Sequence, residues 1–419
     1  MEENKDYIIG VELGPIYTQV SYVTFNGGEG DCLDIPTVAC KRSGVNQWYV
    51  GQEAMENFQA RKGVLVRNIL QAAIHGEMIR VEERSIDPVE LLGLFLRGCF
   101  SQVGIYRPGL NVKAAVITVD HFDKHMVDLL TKVKEQSMTE FEHVFFVPKE
   151  ESLYYYAVHQ PKEMFSYMLE VMDMSAGYLS LKKVEMTKRG YPIPVKVETE
   201  DHTEILYPTE MEPEDEQEIL EDLDEQMNEC MLLDLEGRIV TTIYLTGQPF
   251  EKEWCEKTLK TVCRSRKVYG GNNLFSRGAC LAAMDKLSVS NEREFIYMGK
   301  EKIKSDIGVI RLEDGKEVIS VLWDGMQNWY DAKAEFDFMP GEDAHLPIVI
   351  LPLDKSQKRV VPVVLPADSQ RDMKGRKFHC TMSMRSEKEV SVQVQEVPFG
   401  EFYKEHGRVY EEIITLGIL

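Results

Sequence analysis

Two stretches of this sequence carry an apolar run onto a carboxylate and then turn through glycine. One is Gly10-Val11-Glu12-Leu13-Gly14-Pro15-Ile16-Tyr17-Thr18, the other Val171-Met172-Asp173-Met174-Ser175-Ala176-Gly177-Tyr178. A turn of this kind can aim successive backbone N–H groups at one point and so form a nest for an anion. The carboxylate at the strand end can hold a hydrated divalent cation beside it. These are the parts that phosphate chemistry uses. Glu12 and Asp173 are therefore the candidate catalytic carboxylates, and Gly14, Thr18, Ser175 and Gly177 the candidate binding residues. Either turn alone would pass for an ordinary hairpin; the signal is that the design occurs twice.

Other reactive residue types form no comparable pattern. The eight cysteines contain no CxxC pair and are too sparse for a disulfide scaffold, which fits a reducing cytoplasm. His121 and His125 stand four apart, but HFDKH lacks the glutamate of a metalloprotease motif, and a solvated helix face is the simpler reading. No set of side chains is expected to form a metal site of its own.

The elements that must position these turns alternate. Tyr7 to Gly14 and Tyr17 to Phe25 read as two strands, with Asn26-Gly27-Gly28 closing the pair. Trp48 to Val50 reads as a strand before a helix from Gly51. Asp87 to Cys99 and Asp123 to Gln136 read as amphipathic helices around a buried strand at Lys113 to Val119. The order then repeats: strand Phe141 to Val147, helix Lys149 to His159, strand Met164 to Met172 with its hairpin partner Tyr178 to Thr187, strand Ile239 to Thr246, helix Glu251 to Cys263, and a short helix Ser276 to Met284. Such alternation predicts a sheet with helices packed over it. From about Leu287 short alternating runs such as Phe378 to Met384 and Val390 to Val397 predict an antiparallel β-sandwich, with only Tyr410 to Leu419 reading as helical.

Composition sets the outer limits. Apolar residues make up 43% of 419, enough for real cores and, at this length, more than one domain. The N-terminus lacks the basic flank and apolar core of a signal peptide, and no apolar run reaches the eighteen or so residues a membrane span needs. A net charge of −22 argues against nucleic acid or an anionic membrane as partner. The charge is concentrated: Glu198 to Glu236 holds 17 acidic residues and no Lys or Arg, which reads as a solvated helix and its loops.

In this order the pieces resemble the actin-like and 70-kDa heat-shock-like ATPase superfamily. Gly10 to Thr18 is similar to its first phosphate loop and Asp173 to Tyr178 to its second. Ile243 to Pro249 resembles the adenosine-side strand and turn, which adds Gly247 and Gln248 as cofactor-binding candidates. Asn272 to Ala283, with Gly278, resembles the closing helix. Trp48 to Ala54 and Val116 to Phe122 are similar to further first-lobe segments. The resemblance spans residues 6–286, and Ser305 to Glu401 is faintly similar to the β substrate-binding domain of the chaperones. It implies a two-lobed, ribonuclease-H-like α/β fold over residues 1–286, with lobes at about 1–160 and 161–286. The acidic segment 198–236 would stand in for a reduced subdomain, and a β-rich domain would follow at 287–419. It also implies Arg67 near the place of a catalytic lysine, Glu150 (or Glu151) near the carboxylate that handles metal and water, and ATP or ADP with Mg²⁺ as cofactor if the site works.

The departures from the family are chemical. Pro15 has no N–H to offer a phosphate and Ile16 no hydroxyl. Ser175 and Ala176 replace glycines, Tyr178 replaces a threonine and stands where it could fill the γ-phosphate space, Ser180 replaces an aspartate, and Gln248 replaces a glycine. These changes predict a degenerate member that serves as a binding or scaffold module, has little or no ATP hydrolysis and needs no cofactor. The alternatives are a slow Mg-ATP-dependent chaperone-like ATPase and a sugar-kinase-like enzyme, for which Asp120 and Asp123 are the candidate acceptor-activating residues. A protein or extended-peptide partner would meet the C-terminal β domain, with Trp323 to Tyr330 as its aromatic stretch; the simpler reading of both tryptophans is ordinary β-domain core.

Overall fold

The computed structural model describes residues 5–25, 30–104, 110–186, 192–208, 211–271, 273–288, 294–341, 344–353, 357–365, 376–397 and 409–416. They form two compact units, Met1–Tyr297 and Met298–Leu419. The expected turn at Asn26-Gly27-Gly28 lies outside the described residues.

The first unit is built on two sheets. In its first lobe β1 (Lys5–Leu13), β2 (Tyr17–Thr24) and β3 (Asp31–Pro36) form an antiparallel meander. A small three-stranded sheet follows, β4 (Ala39–Arg42), β5 (Trp48–Val50) and β6 (Gly63–Val66), with α1 (Gly51–Gln59) between its second and third strands. The chain runs on through α2 (Ile69–His75), the hairpin β7 (Ile79–Val81) and β8 (Arg84–Ile86), and α3 (Pro88–Gln102). It then adds β9 (Leu110–Val119), α4 (Lys124–Ser137) and β10 (His143–Pro148). The order is β10-β9-β1-β2-β3, with β9 parallel to both β1 and β10. Strands β1 and β9 read as unbroken apolar runs because helices cover both faces of the sheet. Leu91, Leu92, Phe95 and Leu130 of α3 and α4 pack against Ile9, Val11 and Ile117 on one side. Ile8, Ala114 and Val116 face Ala279, Cys280 and Ala283 on the other.

After α5 (Lys149–Val158) the second lobe repeats the plan with β11 (Met168–Asp173), β12 (Tyr178–Met186), β13 (Ile193–Leu206), α6 (Glu216–Asp234), β14 (Val240–Thr246), α7 (Glu256–Val262), β15 (Lys267–Gly270), α8 (Leu274–Leu287) and β16 (Phe295–Tyr297). Its order is β15-β14-β11-β12-β13-β16. Again the first three strands are antiparallel and the next two add parallel on the other side of the first. Two sheets that share a five-strand order and sense, the second extended by β16, make the unit a two-lobed α/β fold. The first unit continues past the expected boundary at 286 because β16 pairs in parallel with β13.

The acidic segment differs from a solvated helix with loops. Its first part is strand: Glu198 to Leu206 belongs to β13 and pairs with β12. In α6, Leu223, Met227 and Met231 are buried, while Ile219 and Leu220 are only partly covered. One of its acids has a structural task. Asp224 accepts from the backbone N–H groups of Lys257 and Thr258 at 2.8 and 2.9 Å, capping α7.

The second unit is all β. Strands β17 (Ser305–Glu313), β18 (Lys316–Trp323), β19 (Lys333–Phe338), β20 (His345–Pro352), β21 (Arg359–Val364), β22 (Lys377–Ser386), β23 (Glu389–Val397) and β24 (Val409–Thr415) form two antiparallel sheets. Their orders are β18-β17-β20-β21 and β19-β22-β23-β24, and one core joins Ile307, Val309 and Ile348 to Phe378, Cys380 and Val392. The segment read as helical is strand β24: Ile414 and Leu416, two apart, are both buried, and the run completes a ladder on β23. Trp323 is buried in this core and Trp329 packs partly against it, so the first of these tryptophans offers no recognition surface.

Gly278 sits where α8 crosses α5. A Cβ there would stand 2.0 Å from the carbonyl oxygen of Ser152, so Gly278 serves helix packing rather than a cofactor. Gly278→Ala is expected to destabilise the full chain by about 2 kcal/mol, because overpacking of about 3 kcal/mol outweighs the roughly 1 kcal/mol gained in helix propensity. Urea unfolding of the two proteins checks this, and an unchanged midpoint would be the contrary result.

Candidate functional site

The carboxyl ends of the first parallel strands in the two sheets, β1 and β11, approach each other, the usual place for a site in such sheets. A cavity of about 370 Å³ lies there. Glu12, Ile16, Gln19, Asp34 and Arg67 line it from the first lobe, and Ser175, Gly177, Tyr207, Gly247, Gln248 and Lys252 from the second. Of the predicted residues, Glu12, Arg67, Ser175, Gly177, Gly247 and Gln248 therefore meet at one cavity.

The others go elsewhere. Gly14 is in the first turn, where its carbonyl accepts from Thr37 Oγ1 at 2.9 Å. Thr18 is fully buried and bonded to Thr37 through their hydroxyls at 2.9 Å, so it faces away from the cavity. Glu150 accepts from Thr199 Oγ1 at 2.6 Å on the first turn of α5. Asp123 caps α4 through the N–H of Met126 and is not among the residues lining the cavity. Tyr178 is half-buried and is not among the residues lining the cavity.

Asp173 lies just behind the cavity, 3% exposed, and there the structure holds what the sequence reading missed. Lys149, the first residue of α5, sends a fully buried ammonium group into a ring of oxygens. It stands 2.9 Å from Glu12 Oε1, 3.0 Å from Asp120 Oδ2, 3.4 Å from Asp173 Oδ2 and 3.0 Å from Ser175 Oγ. A second buried lysine, Lys182 of β12, stands 3.4 Å from Asp120 Oδ1 and donates to Ser180 Oγ at 3.2 Å. The ammonium groups lie 4.8 and 5.9 Å from the centre of the Phe275 ring. Signals for both were present. Lysine at the first position of a helix opposes the helix dipole, and Lys182 interrupts the apolar run of β12 between Leu181 and Val184.

Three carboxylates share two ammonium groups, and their protonation follows. Burial pulls the Lys149 ammonium toward its neutral form, but Asp120, Asp173 and Glu12 more than offset it and hold the charge well above the ordinary lysine range. Burial likewise opposes the charge on Asp120, and Lys149 and Lys182 overcome it, so its carboxyl sits below the usual range. Glu12 is the group left over. Burial pushes its pKa up to about 7, Lys149 pulls against this, and Asp173 adds to the rise.

Several backbone groups of the turns are used inside the protein. In the second, the N–H of Met174 donates to Thr246, that of Ser175 to Asp173 Oδ1 at 2.9 Å, and that of Gly177 to Met174. In the first, Pro15 has no N–H, and the Ile16 side chain reaches across to the other turn. A Cβ on Gly177, whose φ is +89°, would lie 3.4 Å from Ile16 Cδ1. Ile16, rather than Tyr178, is the side chain that lies against the second turn and lines the cavity.

The model of the family of unknown function (DUF5716) C-terminal matches residues 21–300, and that of a domain of unknown function (DUF8552) matches residues 302–416. No curated protein matches the chain. Among solved structures, a non-polymerising mutant of MamK bound to AMPPNP aligns with a TM-score of 0.41 and 16% identity, covering 67% of this chain and 99% of that one. Among the described residues no helix is long and apolar enough to cross a membrane.

The Glu12 pKa sets a pH dependence. Raised by burial to about 7, it lies above the 4.5 of an ordinary glutamate, so the stability that goes with its proton is present below 4.5 and is lost as pH rises through 7. Glu12→Gln is expected to flatten the fall in stability between pH 5 and about 7.5, read as urea midpoints at each pH. A slope equal to that of the wild type would contradict the assignment.

Proposed function

We propose that this chain, which belongs to the family of unknown function (DUF5716) C-terminal, is a non-hydrolysing protein of actin-like fold that works as a binding or scaffold module. One observation carries the reading: several of the donors that would cradle a phosphate chain are used inside the protein or missing. Three N–H groups of the second turn are bonded internally, Pro15 has none, and the Ile16 side chain lies against Gly177 of the second turn. Glu12 and Asp173, which on their own would favour a slow ATPase, are both held by Lys149.

Within this reading the cavity admits a small ligand held by side chains, with Arg67 and Lys252 as its cationic lining. The partner of the C-terminal unit is a protein segment in extended form. It would add to the outer strand β18, where Val318, Ile319 and Val321 stand exposed.

The test is phosphate release from Mg-ATP by the full chain. No release above the protein-free blank is expected. Turnover that disappears in Asp173→Asn would overturn the proposal and restore the ATPase reading.

A further inference from the structure

The resemblance to actin-like ATPases implies a Mg²⁺ ion near the two strand-end carboxylates, and the residues present do not fit one. Glu12, Asp120 and Asp173 converge as a cation's ligands would, two from the first lobe and one from the second. Their centre is taken by the Lys149 ammonium, at 2.9–3.4 Å from each. These are the distances of charge-assisted hydrogen bonds, and Mg²⁺ would need oxygens at about 2.1 Å. Asp120 is further engaged by Lys182. A divalent ion added beside two buried ammonium groups would meet their repulsion with no carboxylate left unshared.

We propose that Lys149 is a resident cation: its ammonium takes the place of a divalent metal, so the cleft binds its ligand independently of metal and the two lobes are linked through a side chain. The inference builds on the reading of a cleft that does not transfer phosphoryl groups, and it names how that cleft keeps its charge balance. Lys149 is thereby a positioning residue for Glu12, whose other face lines the cavity. The link is covalently anchored. Its cation belongs to α5 and cannot be removed by a chelator, whereas a metal could.

The decisive variant is Lys149→Ser, which removes the ammonium and leaves room and a hydroxyl among the three carboxylates. The probe is Mn²⁺ alone, followed by electron paramagnetic resonance and by thermal melting of the full chain. The wild type is expected to show only weak surface binding and the same melting temperature in chelator and in Mn²⁺. K149S is expected to melt lower in chelator and to recover several degrees in Mn²⁺. It should gain one site at least about tenfold tighter than any on the wild type, a difference of about 1.4 kcal/mol. That site should vanish in K149S combined with Asp173→Asn.

A tight Mn²⁺ site on the wild type that Asp173→Asn removes would overturn the proposal. So would a K149S protein whose melting and Mn²⁺ binding match the wild type, or one that stays unfolded in chelator and Mn²⁺ alike. No nucleotide is present in these measurements, so they fail or succeed independently of the phosphate-release assay.

Discussion

A charge taken out of water must be balanced where it ends up, because its lost hydration costs several kcal/mol even after relaxation. At the base of the cleft the Lys149 ammonium and three carboxylates meet that requirement together, and the geometry of the first unit follows from it. Glu12 and Asp120 end neighbouring strands of the first sheet, and Asp173 ends the first strand of the second. A single side chain from the start of α5 bonds to both lobes at once. Rotation of one lobe against the other would expose or unpair these groups, so the ion network and the closure of the cleft are one constraint. Lys182 and the face of Phe275 complete its surroundings.

The duplicated topology explains why this meeting occurs. Each sheet begins with a strand that is antiparallel to the next and parallel to a later one, so both first strands end at the same side. The fold brings two turns together whatever their residues, and what they do there depends on side-chain and backbone chemistry. With Pro15 in one and three internally bonded N–H groups in the other, part of the hydrogen-bonding capacity of the turns is spent within the protein. What remains is a cavity with Gln19, Gln248, Arg67 and Lys252 on its walls, suited to contacts through side chains.

Much of the fold was legible in the sequence because burial writes itself as a period. The apolar runs of β1 and β9, the helical spacing of Leu91, Leu92, Phe95 and Leu96, and the alternation of β22 all lie where the pattern places them. The exceptions are instructive. Tyr410 to Leu416 carries two glutamates followed by two isoleucines, a pattern that suits a helix as well as a strand until the neighbouring edge of β23 decides for strand. Glu198 to Leu206 looked like part of a solvated acidic run because charge masks alternation, and its pairing with β12 is a contact distant in sequence.

At the site, the sequence by itself determined which residue types stand at the two turns, and with them the loss of the phosphate-facing N–H at Pro15 and of a hydroxyl at Ile16. Those consequences are local, since they follow from one residue's own covalent chemistry. Only the tertiary structure decided that Ile16 rather than Tyr178 lines the cavity beside the second turn, that Thr18 and Gly278 serve the interior, and that Asp123 is a helix cap. It alone placed Lys149 among Glu12, Asp120 and Asp173. The physical reason is that a charge balance is a sum over groups brought together in space. These four residues are spread from position 12 to position 173, and no local pattern relates them until two sheets of the same design have set their strand ends side by side.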